Sequence, residues 1–158
     1  MIIGDLYQPI GKLAAKFQFL EFVARALAIE FMKTDYDVGL CLVSEMSFSR
    51  LVAALSSIGK EKLQDPEILE QMDELANLLA VCEQERNRIL HSAYGEMEEK
   101  LVRVKITAKQ SKGLKKIFYE VNPKEIEEVT ANIEQTREQL VKSARSLQSR
   151  GLISQGFF

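Results

Sequence analysis

From Leu6 to Phe31, apolar residues return at alternating intervals of four and three: Leu6, Ile10, Leu13, Phe17, Leu20, Ala24, Leu27 and Phe31. That beat is the trace of one helix face and is incompatible with a strand, whose faces alternate every second residue. A helix of this length is stable in water only when other elements bury its stripe. The chain must therefore supply, or borrow, helices that cover it. Phe19, Phe22, Val23, Ala26 and Ile29 widen the stripe, so cover is expected on more than one side, with a second copy of the chain as one source. Three prolines and eight glycines in 158 residues leave long stretches of Ala, Leu, Glu, Lys, Gln and Arg free to be helical.

The rest of the chain reads as further helices around one exception. Capping and turn residues between Thr34 and Gly39 separate the first helix from a second, expected from about Leu40 to Ile58 and stopped by Gly59. Asp65-Pro66 is a helix start, with Asp as cap and Pro in the first turn, followed by Ile68, Met72, Leu75, Leu79 and Cys82 on one face. Leu101 to Thr107 instead alternates apolar and polar residues, as a half-buried strand does. With a turn at Lys109–Gly113 and a second strand from Leu114 to Val121, a β-hairpin is expected over about 101–121. Asn122-Pro123, with Glu125 in capping-box position, opens a last helix whose stripe runs from Ile126 through Val129, Ile133, Leu140, Ala144 and Leu147 to a stop at Gly151. Phe157 and Phe158 follow as docking side chains. The expected fold is mainly α: an antiparallel bundle of four to five helices in a single domain over 1–158, with a short inserted hairpin.

Composition narrows the class. With 46% hydrophobic and 28% charged residues the chain has the balance of a globular protein, and its net charge of −2 argues against wholesale attraction to nucleic acid or anionic membrane. Cys41 and Cys82 lie far apart in apolar helical patterns and read as two buried, reduced thiols. No leader segment and no membrane-spanning run is visible, so a cytoplasmic protein without a membrane partner is expected.

The residues that carry chemistry lie at the end of the third helical pattern, in Glu85-Arg-Asn-Arg-Ile-Leu-His-Ser-Ala-Tyr94, which contains the only histidine of the chain. Extending the stripe beyond Cys82 leads to Arg86, a guanidinium where an apolar side chain belongs. Burying such a charge alone costs several kcal/mol, so the position must be wet, paired with a carboxylate, or open to an anion. Asn87 and His91 are four apart and nearly stacked on a helix, which lets the amide orient the imidazole. Arg86 and His91 are five apart, about 140° around the axis and ~7.5 Å along it, too divergent for a tight pair on one regular helix. Two such helices meeting across a twofold axis would instead line one groove with both residues from both chains. There the arginines would favour charge developing on a phosphoryl group, while the imidazole moves protons at neutral pH. Those parts suffice for metal-independent cleavage of RNA by its own 2′-hydroxyl, a nucleophile that DNA lacks.

Arg86-Asn87, three intervening residues, and His91-Ser92, at the end of a long helix in a small helical chain, resemble the HEPN superfamily. The resemblance implies a helical bundle and a homodimer whose Arg86, Asn87 and His91 are catalytic. It also implies endoribonuclease activity of the kind found in toxin and antiphage systems, leaving a 2′,3′-cyclic phosphate and a 5′-hydroxyl. An antitoxin or nucleotidyltransferase partner follows from the same source, although Tyr94 stands three residues after the histidine, not two as in the subgroup modified by such a partner. The alternative within the family is an inactive nucleotide-binding or protein-interaction module. A purely structural helical dimer is a third reading.

Lys100, Arg103, Lys105, Lys109, Lys112, Lys115 and Lys116 crowd the hairpin region without an acidic residue between the first and last. Of these, Lys105, Lys109, Lys112, Lys115 and Lys116 are the candidates for contact with RNA phosphates; the alternative is a solvated hairpin face whose lysines discourage strand pairing. Neither a metal site nor a cofactor is expected, since one histidine without a carboxylate or thiol cluster falls short of a ligand set and no phosphate-cradling glycine loop occurs.

Overall fold

A computed structural model describes residues 2–109 and 113–154. It is mainly helical, as the periodicity requires, with a small antiparallel sheet inserted before the last helix. After a short 3-10 turn, α1 runs from Tyr7 to Met32, α2 from Tyr36 to Val43, α3 from Phe48 to Lys62 and α4 from Pro66 to Leu90. Strands β1 (Ala93–Met97), β2 (Lys100–Lys109) and β3 (Gly113–Glu120) lead to α5, Pro123–Ser149. Helix α1 packs on α3 and α5, and α4 closes the ring against the same two neighbours. Leu13, Phe17, Leu20 and Leu27 of α1, Leu51 of α3, Leu79 of α4 and Ile126, Ile133 and Leu140 of α5 meet in its fully enclosed centre.

Local signals account for most helix ends. Asp65 accepts from the backbone N–H of Glu67 and Asn122 from that of Lys124, each one residue before the proline that opens a helix. Glu125 does not close the expected capping box; its carboxylate receives Arg88 Nη1 of α4 at 2.6 Å, tying the two helices together. The single helix expected from Leu40 to Ile58 is two. Ser47 accepts from Arg50 N–H and starts α3, while Asp35 caps α2 through Asp37 and Val38. Gly59 is not a stop but a buried residue inside α3, which continues to Lys62. Gly39 seats α2 on α1: a Cβ there would lie 2.7 Å from Ile29 Cγ2.

The insert has three strands, not two. β1 pairs with β2 and β2 with β3, all antiparallel. The β1–β2 connection is Glu98-Glu99, both in the left-handed region (φ 50° and 62°), a two-residue turn built without glycine. Val23, Ala26 and Ile29 are buried as the widened stripe of α1 suggests. Phe19 and Phe22, by contrast, stay about half exposed, their rings stacked 6.3 Å apart. Cys82 is buried and donates to Thr136 Oγ1, but Cys41 is exposed on α2, which turns mainly Gly39 and Val43 inward, so only one of the two expected buried thiols is found. Phe157, Phe158 and Lys112 fall outside the described residues. Among the described residues no helix is long and apolar enough to cross a membrane.

Candidate functional site

Helix α4 carries the motif on its last two turns, and its end is held by side chains. The final carbonyls of a helix have no partner within it. Ser92 Oγ donates to the Arg88 carbonyl at 2.6 Å and the Tyr94 hydroxyl to that of Ile89 at 2.8 Å. Arg103 of β2 adds a longer contact to the Arg88 carbonyl, at 3.5 Å. Tyr94 is thus a helix-terminal clamp, and burial pushes its phenol above the usual tyrosine range despite the opposing charges of Arg103 and Arg88. His91 is the C-cap; its N–H donates to the Asn87 carbonyl, and its backbone (φ −99°, ψ 17°) has left the helix.

Arg86 does take the next place on the buried stripe after Cys82, between it and the buried Ile89. The chain accommodates its charge by stacking the guanidinium over Phe17 of α1, 4.4 Å from the ring centroid, and by donating Nη1 to Asn87 Oδ1 at 2.6 Å. Its Nε is buried without a partner among the described residues. Asn87 therefore orients on Arg86; its side chain makes no hydrogen bond with the His91 imidazole, the pairing that helical spacing had suggested. Arg88 is spoken for by Glu85 and Glu125, at 2.6 Å from each. Burial works against its charge, but the two carboxylates outweigh it and raise its pKa.

His91 and Asn87 open on a cleft of about 460 Å³ between the end of α4 and β2, lined also by Gln84, Ser92, Arg103 and Lys105. Arg86 is not part of that lining. Arg103 lies 4.7 Å from the centroid of the Tyr119 ring, its cross-strand partner. Neither Arg103 nor Lys105 has a carboxylate partner among the described residues.

Pairing register divides the basic run that looked continuous in sequence. Lys105 faces Ile117 and Lys115 faces Thr107, which puts them with Arg103 on one side of the sheet; Lys116 is paired with Ile106 and belongs to the other. Lys109 is paired with Gly113 at the end of β2, and Lys100 is held by Glu120 at 2.9 Å. Among the described residues, Lys105 is the one member of the candidate phosphate set that reaches the cleft, and Arg103, outside that set, joins it. The alternation of β2 was the available signal for Arg103, but its pairing with Tyr119 depends on register. Among the described residues no three His, Cys, Asp or Glu side chains are grouped as a metal site would need.

No family model matches the chain, and neither the curated proteins nor the solved structures contain a significant match.

Proposed function

We propose that the chain is an endoribonuclease of HEPN type, active as a cytoplasmic homodimer and independent of metal. The observation that carries this reading is His91: an exposed imidazole, bonded to no other side chain among the described residues, at the mouth of a cleft walled by Arg103 and Lys105. In the reaction the ribose 2′-oxygen attacks the adjacent phosphorus, and the bond from phosphorus to the 5′-oxygen breaks. The 2′-hydroxyl loses its proton and the departing oxygen gains one, leaving a 2′,3′-cyclic phosphate and a 5′-hydroxyl. His91 exchanges a proton with one of these oxygens, and Arg86 stabilises the charge that grows on the phosphoryl group. Asn87 fixes the guanidinium by accepting from its Nη1, beside the Phe17 ring. Because Arg86 lies outside the cleft of its own chain, the guanidinium that serves each imidazole comes from the other subunit. A role as a toxin or antiphage component, with an antitoxin or nucleotidyltransferase partner, belongs to the same reading through the family resemblance.

Total RNA incubated with the purified protein in chelator, followed by sequencing of product ends, tests it. Cyclic phosphate ends that appear with wild type and disappear with His91→Ala are expected; intact RNA, or cleavage that His91→Ala leaves unchanged, rejects it. One observation favours a second reading, a non-catalytic nucleotide-binding or protein-interaction module: the packing of Arg86 on Phe17, which holds the guanidinium partly out of solvent. That module would bind RNA or nucleotide without cutting.

A further inference from the structure

The cleft beside His91 has a second wall whose chemistry is more selective than a field of lysines. Arg88 is paired with two carboxylates, Glu85, which also lines the cleft, and Glu125, so the cations of the cleft without a carboxylate partner among the described residues are Arg103 and Lys105 on β2. Arg103 is held from two sides, by the Tyr119 ring beneath it and the Arg88 carbonyl at the end of α4. A guanidinium laid over an aromatic ring keeps donors at its edge for a phosphate, and its outer face is a surface on which a base can stack. Tyr119 lies outside the lining of the cleft, joined to it through Arg103; it is 38% exposed, and Ile117 and Thr107 continue the same side of the sheet. Aromatic and guanidinium faces beside unpaired cations are the parts with which proteins hold unstacked nucleotides.

Resting on the reading of this cleft as the RNA site, we infer that Arg103, Lys105 and Tyr119 make it selective for unpaired RNA: Lys105 and the edge of Arg103 hold the backbone phosphates, and the Arg103–Tyr119 stack receives a base. A duplex keeps its bases stacked inside and offers this surface phosphates alone, so it loses the stacking contribution. The volume of about 460 Å³ is in the range that takes a single small group, as one splayed nucleotide is.

Fluorescence anisotropy with an uncleavable 2′-O-methyl oligouridine of about twelve nucleotides, against a blunt RNA duplex of equal length, separates binding from cutting. Titrations run between about 50 and 200 mM salt. The single strand is expected to bind at least about tenfold more tightly than the duplex. Arg103→Gln and Lys105→Gln should each weaken it about five- to twentyfold and lower the salt slope by about 0.7, the share of one phosphate contact. Tyr119→Leu should weaken it by a similar factor with the slope unchanged, since stacking releases no counterions. Equal or tighter binding of duplex, absence of oligouridine binding, or wild-type affinity in the exposed-site variant Lys105→Gln together with a folded Arg103→Gln would overturn the inference. The unmodified strand, assayed in parallel, keeps the two proposals apart. Selective binding without cleavage supports this inference and rejects the nuclease; cleavage by a protein whose binding ignores all three substitutions does the reverse.

Discussion

Arg86 and His91 sit five residues apart yet meet different surroundings, and their substitutions should behave differently. His91 is an exposed C-cap whose imidazole packs in no core, so His91→Ala should lower RNA cleavage by about two to four powers of ten with the urea midpoint nearly unchanged. Arg86 lies on the core-facing stripe, its buried Nε without a partner among the described residues. Arg86→Met puts an unbranched apolar side chain beside Phe17 in place of the half-buried charge, so it should abolish cleavage while stability holds or rises, measured by urea denaturation. The two thiols provide a check on burial. Exposed Cys41 should react quickly with a thiol-specific disulfide reagent in the native protein, and Cys82 only after unfolding. Burial pushes the Cys82 thiol above its ordinary 9.0, against a smaller opposing effect of Thr136. Below that pH the thiol is neutral in both states and its full contribution is present. As pH climbs past it the unfolded thiol ionises first, so stability should fall in that alkaline window, less steeply in Cys82→Ala.

The elements differ in how plainly the sequence declared them. Helices α1, α4 and α5 were legible because each carries a sustained three-four beat, and α4 and α5 also open with a cap and a proline. The break between α2 and α3 was not, because Ser44–Ser47 is short and Met46, inside it, stands a helical interval of three after Val43. β1 was missed for a different reason: its turn is Glu98-Glu99, where left-handed backbone is adopted by residues that do not advertise it. The cleft inherited that gap, since Arg103 meets Tyr119 and the end of α4 only through strand register and the clamp made by Ser92 and Tyr94. Gly39 lies where α2 seats on α1 without room for a methyl group. Gly39→Ala should cost about 1–3 kcal/mol through the clash with Ile29, read as a lower urea midpoint, whereas Gly95→Ala has open space for its methyl.

At the scale of the whole molecule, the ring of α1, α3, α4 and α5 closes a core but leaves the guanidinium of Arg86 and the imidazole of His91 on different surroundings of one chain. The proposed chemistry needs them in one place, and in the proposed homodimer a second copy supplies it. Complementation between two inactive variants tests that most directly. Arg86→Met and His91→Ala proteins, each inert alone, are unfolded together and refolded so that mixed dimers form, and RNA cleavage is measured. In a mixed dimer one groove keeps an intact arginine from one chain and an intact histidine from the other, so about a quarter of wild-type activity should return under random pairing. Recovery of that activity is the predicted result; a mixture that contains the mixed dimer by native mass spectrometry and still leaves RNA uncut would contradict the shared groove.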